Sequence, residues 1–253
     1  MKSAALIDWT VQTSVQFPWR RIDFEFESRP FRYIQQSKKL ASILRTCSTS
    51  TQDDEDRAFQ SMSRVLSGLC WTLELPIFSD LHGGCGCSYS DIKEYIKIRK
   101  PTVCSKARFM RNHLCSVFSL PVVLNDKAWK ALAYYREAFS ANSAFHKTNS
   151  FFKVIEVAFP EKKKRKKWIF DNFDQAARNE QKHLLNLNNS KSPKEYFSED
   201  VGHHAVAHQY WIPDKLADFT LGHIANRIFQ NLANQVIRDI LGVKNRDIIH
   251  AKY

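Results

Sequence analysis

Three histidines lie close together towards the C-terminal end of the chain, and imidazole is the side chain best suited to moving protons near neutral pH. They are His203, His204 and His208, in a stretch that we call the histidine segment (residues 203–208). If this segment is helical, His204 and His208 lie one turn apart on the same face. The spacing suits proton transfer or metal binding, and it is equally compatible with a polar helix start that happens to contain histidines.

Two arrangements have the residue types of a metal site. The last two of these histidines have the spacing of a zinc-binding His-Glu-x-x-His helix, but Ala205 stands where that motif has its catalytic glutamate. Cys85 and Cys87 follow His82, yet structural zinc needs a second ligand pair at matching spacing, and none follows. A glycine-rich turn explains this region better, so we expect neither a metal ion nor another cofactor.

Two pairings of arginine with histidine have the residue types that RNA cleavage requires. Arg178 precedes His183 by five positions, and Arg246 precedes His250 by four. Arginine binds a phosphate through parallel hydrogen bonds, while histidine transfers the proton. All four residues fit an ordinary surface position equally well, so each pairing has a purely solvent-exposed role as its alternative.

The chain carries a strong excess of positive charge. Its 253 residues include 38 lysines and arginines against 26 acids, which gives a net charge of +12. Such a balance favours phosphate-bearing partners, because it steers them and releases their counterions on binding. Six cations form one lysine block: Lys162, Lys163, Lys164, Arg165, Lys166 and Lys167. This block is a candidate phosphate or RNA contact, and a solvated loop is the alternative.

The composition is that of a folded protein with a sizeable core. Hydrophobic residues make up 43% and aromatic residues 13% of the chain, and its length fits one large domain or two modest ones. No apolar run approaches the ~18 residues that span a bilayer. Asp8 interrupts the N-terminus too early for a signal peptide. We therefore expect a cytoplasmic protein with reduced cysteines and no membrane partner.

The first part of the chain predicts a mixed α/β region. Apolar and polar residues alternate over residues 1–35, most clearly at 21–27. This alternation is typical of a strand with one solvent-exposed face. Residues 51–71 predict a helix that Thr51 or Asp53 caps. The apolar stripe of this helix comprises Ala58, Met62, Val65, Leu66 and Leu69.

From residue 124 onwards the pattern becomes helical. Asn125 is placed to cap a first helix, residues 142–143 break it, and Pro160 ends a second helix. After the lysine block we expect a third helix over residues 168–187. The histidine segment is expected to open the next helix.

A long helix over residues 214–241 is predicted to follow, with Gly242 as its stop. Its expected buried stripe comprises Leu216, Phe219, Ile224, Ile228, Leu232, Val236 and Ile240. Amphipathic helices in series, joined by short loops, make an antiparallel bundle. The predicted fold is thus mostly α, with a smaller mixed α/β region over residues 1–123 and a helical bundle over 124–253.

Three short motifs in this helical half occur in an informative order. Residues 131–138 and 150–156 are similar to a pair of helix signatures, and residues 204–208 are similar to an Arg-Asn/His-Ala-Ile-Ala-His segment. Together they resemble the HEPN superfamily, particularly its branch around methylamine-utilisation accessory proteins and Apea-like domains. The resemblance covers about residues 124–242 and extends more loosely to residues 71–86.

The resemblance implies a role for each histidine. HEPN proteins are commonly dimers whose Arg-x4-6-His motifs meet at the interface, and many are metal-independent endoribonucleases that act as toxins or antiviral effectors. His208 then assists attack by a ribose 2′-hydroxyl, and His204 takes the polar position after the arginine. His203 stands in the position of the arginine itself. An imidazole offers a phosphate fewer donors than a guanidinium, so this departure puts catalysis in doubt.

Three interpretations remain open. The protein is an RNA-cleaving homodimer with histidine in place of arginine, or a non-catalytic HEPN module that binds RNA, nucleotide or a protein partner, or its site is completed by another arginine such as Arg178 or Arg136. We expect the first, with RNA held by the lysine block and a regulatory or antitoxin protein as a further partner. Tyr210 matches a tyrosine that is nucleotidylated in some HEPN toxins, which makes it a candidate modification site.

Overall fold

The structure is a computed structural model. It contains two compact units, of which the first ends at Pro121 and the second runs from Val122 to Lys244. The histidine segment and Tyr210 lie outside the described residues, as do residues 81–100 and 246–250. Across the described part of the chain, no helix is long and apolar enough to cross a membrane. The described residues are 4–13, 21–35, 41–49, 51–80, 103–104, 120–184, 192–201 and 216–244.

The first unit contains an antiparallel sheet. Its strands are β1 (Ala4–Thr13), β2 (Arg21–Phe26), β3 (Arg29–Gln35), β4 (Ala41–Thr49), β5 (Ile77–Asp80) and β6 (Val103–Cys104). They are ordered β5-β1-β4-β3-β2-β6 across the sheet. The predicted strands within residues 1–35 are confirmed. The hydropathy pattern does not predict β4, because the buried positions of this strand include Ser42, Thr46 and Ser48.

Within the described residues of this unit, the helix α1 (Gln52–Leu73) packs on β4 and β5. The Trp9 ring of β1 lies 5.8 Å from the Phe59 ring of α1. All five residues of the predicted apolar stripe are buried, so the expected helix and its inner face are confirmed. Thr51 occupies the cap position, although its side chain makes no capping hydrogen bond.

Charged side chains form a row across the other face of the sheet. Asp8, Arg45, Arg32 and Asp23 stand opposite one another on four neighbouring strands. Arg45 donates to both carboxylate oxygens of Asp8 at 2.7 Å. Arg32 donates to Asp23 at 2.6 Å, and both residues are buried. Because a one-residue slip would leave these charges uncompensated, the row fixes the strand register.

The second unit consists mainly of helices. The prediction of a mostly helical chain with an α/β region at its N-terminal end is therefore confirmed. The helices are α2 (Asp126–Ser140), α3 (Ala144–Ala158), α4 (Lys162–Ala176), α5 (Gln181–Leu184), α6 (Pro193–Glu195) and α7 (Leu216–Gln235). α6 and α7 continue as π-helical turns over Tyr196–Val201 and Val236–Ile240. α3 packs on both α2 and α7, and α7 also packs on α4.

Two of the predicted helix boundaries are confirmed by their backbone chemistry. The Asn125 side chain accepts a hydrogen bond from the Ala128 backbone N–H at 2.8 Å, which caps α2. Gly242 has a φ of +66°, a conformation that suits glycine and stops the last helical segment. Pro160 follows α3, as expected.

The predicted helix over residues 168–187 is wrong at both ends. The helix begins at Lys162, so the lysine block is helical rather than a solvated loop. Lysine and arginine are good helix formers, and nothing in the block interrupts the helix. It ends at Ala176, whose carbonyl accepts a hydrogen bond from the Asn231 amide of α7 at 2.8 Å. The Asn231 amide therefore satisfies a carbonyl that has no partner within the helix.

The buried stripe of the long helix also differs from the prediction at its end. Ile224, Ile228, Leu232 and Val236 are buried as expected, but Ile240 is 48% exposed. The π-helical turn adds residues to the last turn and rotates the side chains that follow it. Ile237 is buried in place of Ile240.

This register shift predicts unequal effects of two matched substitutions. Ile237→Ala removes a fully buried side chain and should lower the free energy of unfolding by about 2–5 kcal/mol. Ile240→Ala should change it by less than about 0.5 kcal/mol, because the side chain is largely in water. Urea unfolding followed by circular dichroism measures both values, and equal losses would contradict the π-helical register.

Candidate nucleic-acid interface

The lysine block forms the first two turns of α4. Lys162, Lys163, Lys164 and Lys167 are exposed, and Lys166 is partly buried. The helix turns a different side towards the core, where it buries Ile169, Phe173 and Ala176. The lysines therefore cover the solvent side of one helix end.

Cations are unfavourable at this end of a helix. The N-terminus of a helix carries about half a positive elementary charge, and each added cation there costs about 0.3–1 kcal/mol. The first turn of α4 contains no acid. Glu161, just before the helix, pairs with Lys164 at 2.9 Å and offsets part of the charge. The helix dipole and the lysines thus add up to a concentrated positive potential, which attracts polyanions.

Arg165 is part of the block in sequence but differs from the lysines in its contacts. Its Nη1 donates to the carbonyl oxygens of Phe159 and Pro160 at 3.0 and 3.3 Å. Its Nη2 lies 3.1 Å from Glu156, and its guanidinium stacks 5.2 Å from the Phe152 ring centroid. Arg165 thereby holds the bend between α3 and α4.

The histidine segment closely follows a π-helical turn of the helical unit in the chain. Val201 ends the π-helical turn that packs on α4, and the histidine segment begins two residues later. In this turn Phe197 is fully buried, with its ring 5.4 Å from Phe173 and 6.4 Å from Phe229 of α7. An aromatic cluster therefore holds the turn that precedes the histidine segment in the chain.

Within the described residues, neither Arg178 nor Arg136 shares a helix with a histidine. Arg178 is exposed in the turn after α4, and His183 follows on the separate helix α5, so their expected placement on one helix is wrong. Arg136 is partly buried on α2.

The turn after α4 reaches α7 through a different pair. Glu180 is buried, and its two carboxylate oxygens accept hydrogen bonds from Nε and Nη2 of Arg227, each at 2.7 Å. The sequence motifs do not identify Arg227 as a functional residue, because no histidine follows it at the motif spacing. Burial of Glu180 needs this countercharge, so the pair locks the turn onto α7.

A metal site requires several ligating side chains close together. Within the described ranges there is no group of three or more histidine, cysteine or acidic side chains arranged to hold a metal ion. The cysteines and histidine of the glycine-rich stretch, Cys85, Cys87 and His82, lie outside those ranges, as does the histidine segment.

Comparison with protein-family models gives a match within the helical unit. Residues 131–224 are similar to a HEPN-like family, which confirms the resemblance inferred from the sequence motifs. The family is the one described as Methylamine utilization protein MauJ. The matched range runs from α2 to the first part of α7, and it includes the lysine block and the histidine segment. Searches of curated proteins and of solved structures gave no match.

The contrast between Arg165 and its lysine neighbours is testable by unfolding experiments. Arg165→Gln should lower the free energy of unfolding by about 1.5–3 kcal/mol, because it removes charge-assisted hydrogen bonds from a site that is 12% exposed. Lys163→Gln should leave stability unchanged or raise it by a few tenths of a kcal/mol, because it relieves the helix dipole. Guanidinium titrations of the two variants compare these effects, and similar losses would exclude the anchoring role of Arg165.

Proposed function

We propose that this protein is a HEPN-like, metal-independent endoribonuclease that acts as a toxin or antiviral effector. The family match over residues 131–224 carries the proposal, because it includes both a basic surface and a cluster of histidines. In the proposal, the lysines of α4 bind the RNA backbone and the histidine segment carries out the chemistry. The protein acts as a homodimer in which two histidine segments face one another, restrained by a regulatory protein.

The proposed chemistry needs one base, one acid and a positive charge at the phosphate. His208 takes the proton from a ribose 2′-hydroxyl, whose oxygen then attacks the neighbouring phosphorus. The bond from phosphorus to the 5′-oxygen breaks, and a second imidazole, His204, returns a proton to that leaving oxygen. A protonated His203 offsets the charge of the phosphate. The products are a 2′,3′-cyclic phosphate and a free 5′-hydroxyl.

A non-catalytic module is the second candidate, and one observation favours it. His203 stands where the family motif has arginine, and a neutral imidazole binds a phosphate less strongly than a guanidinium does. In that case the same lysine surface binds RNA or a nucleotide and no bond is broken. Product analysis separates the two candidates.

The catalytic proposal predicts that His208→Ala abolishes cleavage of a labelled RNA while the fold is retained. The matched control is His223→Ala, which changes an exposed histidine of α7 and should leave cleavage intact. Products are resolved on a denaturing gel in the presence of a chelator, and their cyclic phosphate is identified by mass. Full activity of His208→Ala, or complete inhibition by the chelator, would exclude this mechanism.

The lysine surface predicts a change in the salt dependence of RNA binding. Replacing Lys163 and Lys167 together by Gln should reduce the slope of log affinity against log salt by about 0.7–0.9 per lysine. The control Lys130→Gln changes an exposed lysine on α2 and should leave the slope unaltered. Fluorescence anisotropy at several salt concentrations measures the slopes. If the double variant kept the parental slope, the phosphate contacts would have to lie elsewhere.

A further inference from the structure

An exposed aromatic ring lies on the lysine side of α4. Phe170 follows Lys163, Lys166 and Lys167 by seven, four and three positions, spacings that place all four residues on one face of the helix. Phe170 is 41% exposed, whereas Ile169 beside it is buried. The face therefore presents an apolar ring to water next to several cations.

A further cation approaches the same ring from another segment. The Lys194 ammonium of α6 lies 5.6 Å from the centroid of the Phe170 ring. The same ammonium pairs with Asp174, which stands one turn beyond Phe170 on α4. Lys194 is thus held over one face of the ring, with its charge paired to Asp174.

This combination of groups fits one class of partner better than others. An isolated exposed phenylalanine is ordinary on a protein surface. A ring bordered by lysines suits a ligand that offers negative charge and flat apolar faces together. A single-stranded nucleic acid does so, because its unpaired bases stack on aromatic rings while its phosphates meet cations. A duplex hides the faces of its bases and offers the phosphates alone.

We infer that Phe170 is a base-stacking platform and that this face of α4 binds single-stranded RNA. Lys163 and Lys167 hold phosphates on the lysine side of the ring, and an unpaired base stacks on Phe170. About 10 Å of helix separates Lys163 from Phe170, which sets the scale of the contact. The inference rests on the proposed function, since it specifies which form of RNA the lysine surface receives.

The test compares variants of the full chain that also carry His208→Ala, so that the RNA stays intact. Anisotropy measures binding of a labelled single-stranded RNA and of the duplex that it forms with its complement. Phe170→Ala should weaken single-strand binding by about ten-fold or more. Duplex binding and the salt slope should not change. Phe170→Leu keeps the apolar bulk and should lose as much as Phe170→Ala, whereas Phe170→Tyr should bind like the parent.

The control is Phe78→Ala, which removes a phenylalanine of similar exposure, 39%, from strand β5 of the sheet unit and should leave RNA binding unchanged. Unaltered single-strand affinity in Phe170→Ala and Phe170→Leu would overturn the stacking role while leaving the proposed function in place. Equal losses on single strand and duplex would overturn it as well. If the parent bound neither RNA form, the proposed function and the stacking role would both fail.

Discussion

The guanidinium of Arg165 holds the bend between α3 and α4. Arg165 binds two carbonyl oxygens at the end of α3, pairs with Glu156 and stacks on Phe152, all from within the lysine block. A helix that begins with six cations opposes its own dipole and needs tertiary contacts to hold it. Arg165 supplies such contacts, and with it in place the lysines remain on the solvent side. The exposed lysines and the inward-facing arginine thus belong to the same block of the chain.

In the helical unit, aromatic packing also holds the π-helical turn that precedes the histidine segment in the chain. Phe197 and Phe173 meet beside Phe229 of α7, and the chain continues from this cluster towards the three histidines. Glu180 and Arg227 make a second tie between the end of α4 and α7. Dense packing of this kind limits movement of the helices that it joins.

Much of the secondary structure was predictable because local signals and tertiary structure agree there. Asn125 caps its helix, the stripe of α1 is buried, and Gly242 takes a left-handed conformation. Prediction failed where the backbone departs from α-helical geometry and where polar side chains are buried. Ile240 belongs to an apolar period of 3.6 residues, but a π-helical turn rotates it into water. β4 buries serine and threonine at sheet positions that hydropathy does not detect.

The order of amino acids is enough to identify the chemistry that is available: a strong positive charge concentrated in six adjacent residues, and three imidazoles in a segment with a family resemblance. These properties depend on residue type and order, so no fold is needed to recognise them. The tertiary structure alone decided which of those residues face outwards. It turned Arg165 into the core, placed Arg227 on buried Glu180, and left Phe170 exposed beside the lysines. Orientation depends on contacts between residues far apart in the chain, and local sequence patterns do not record such contacts.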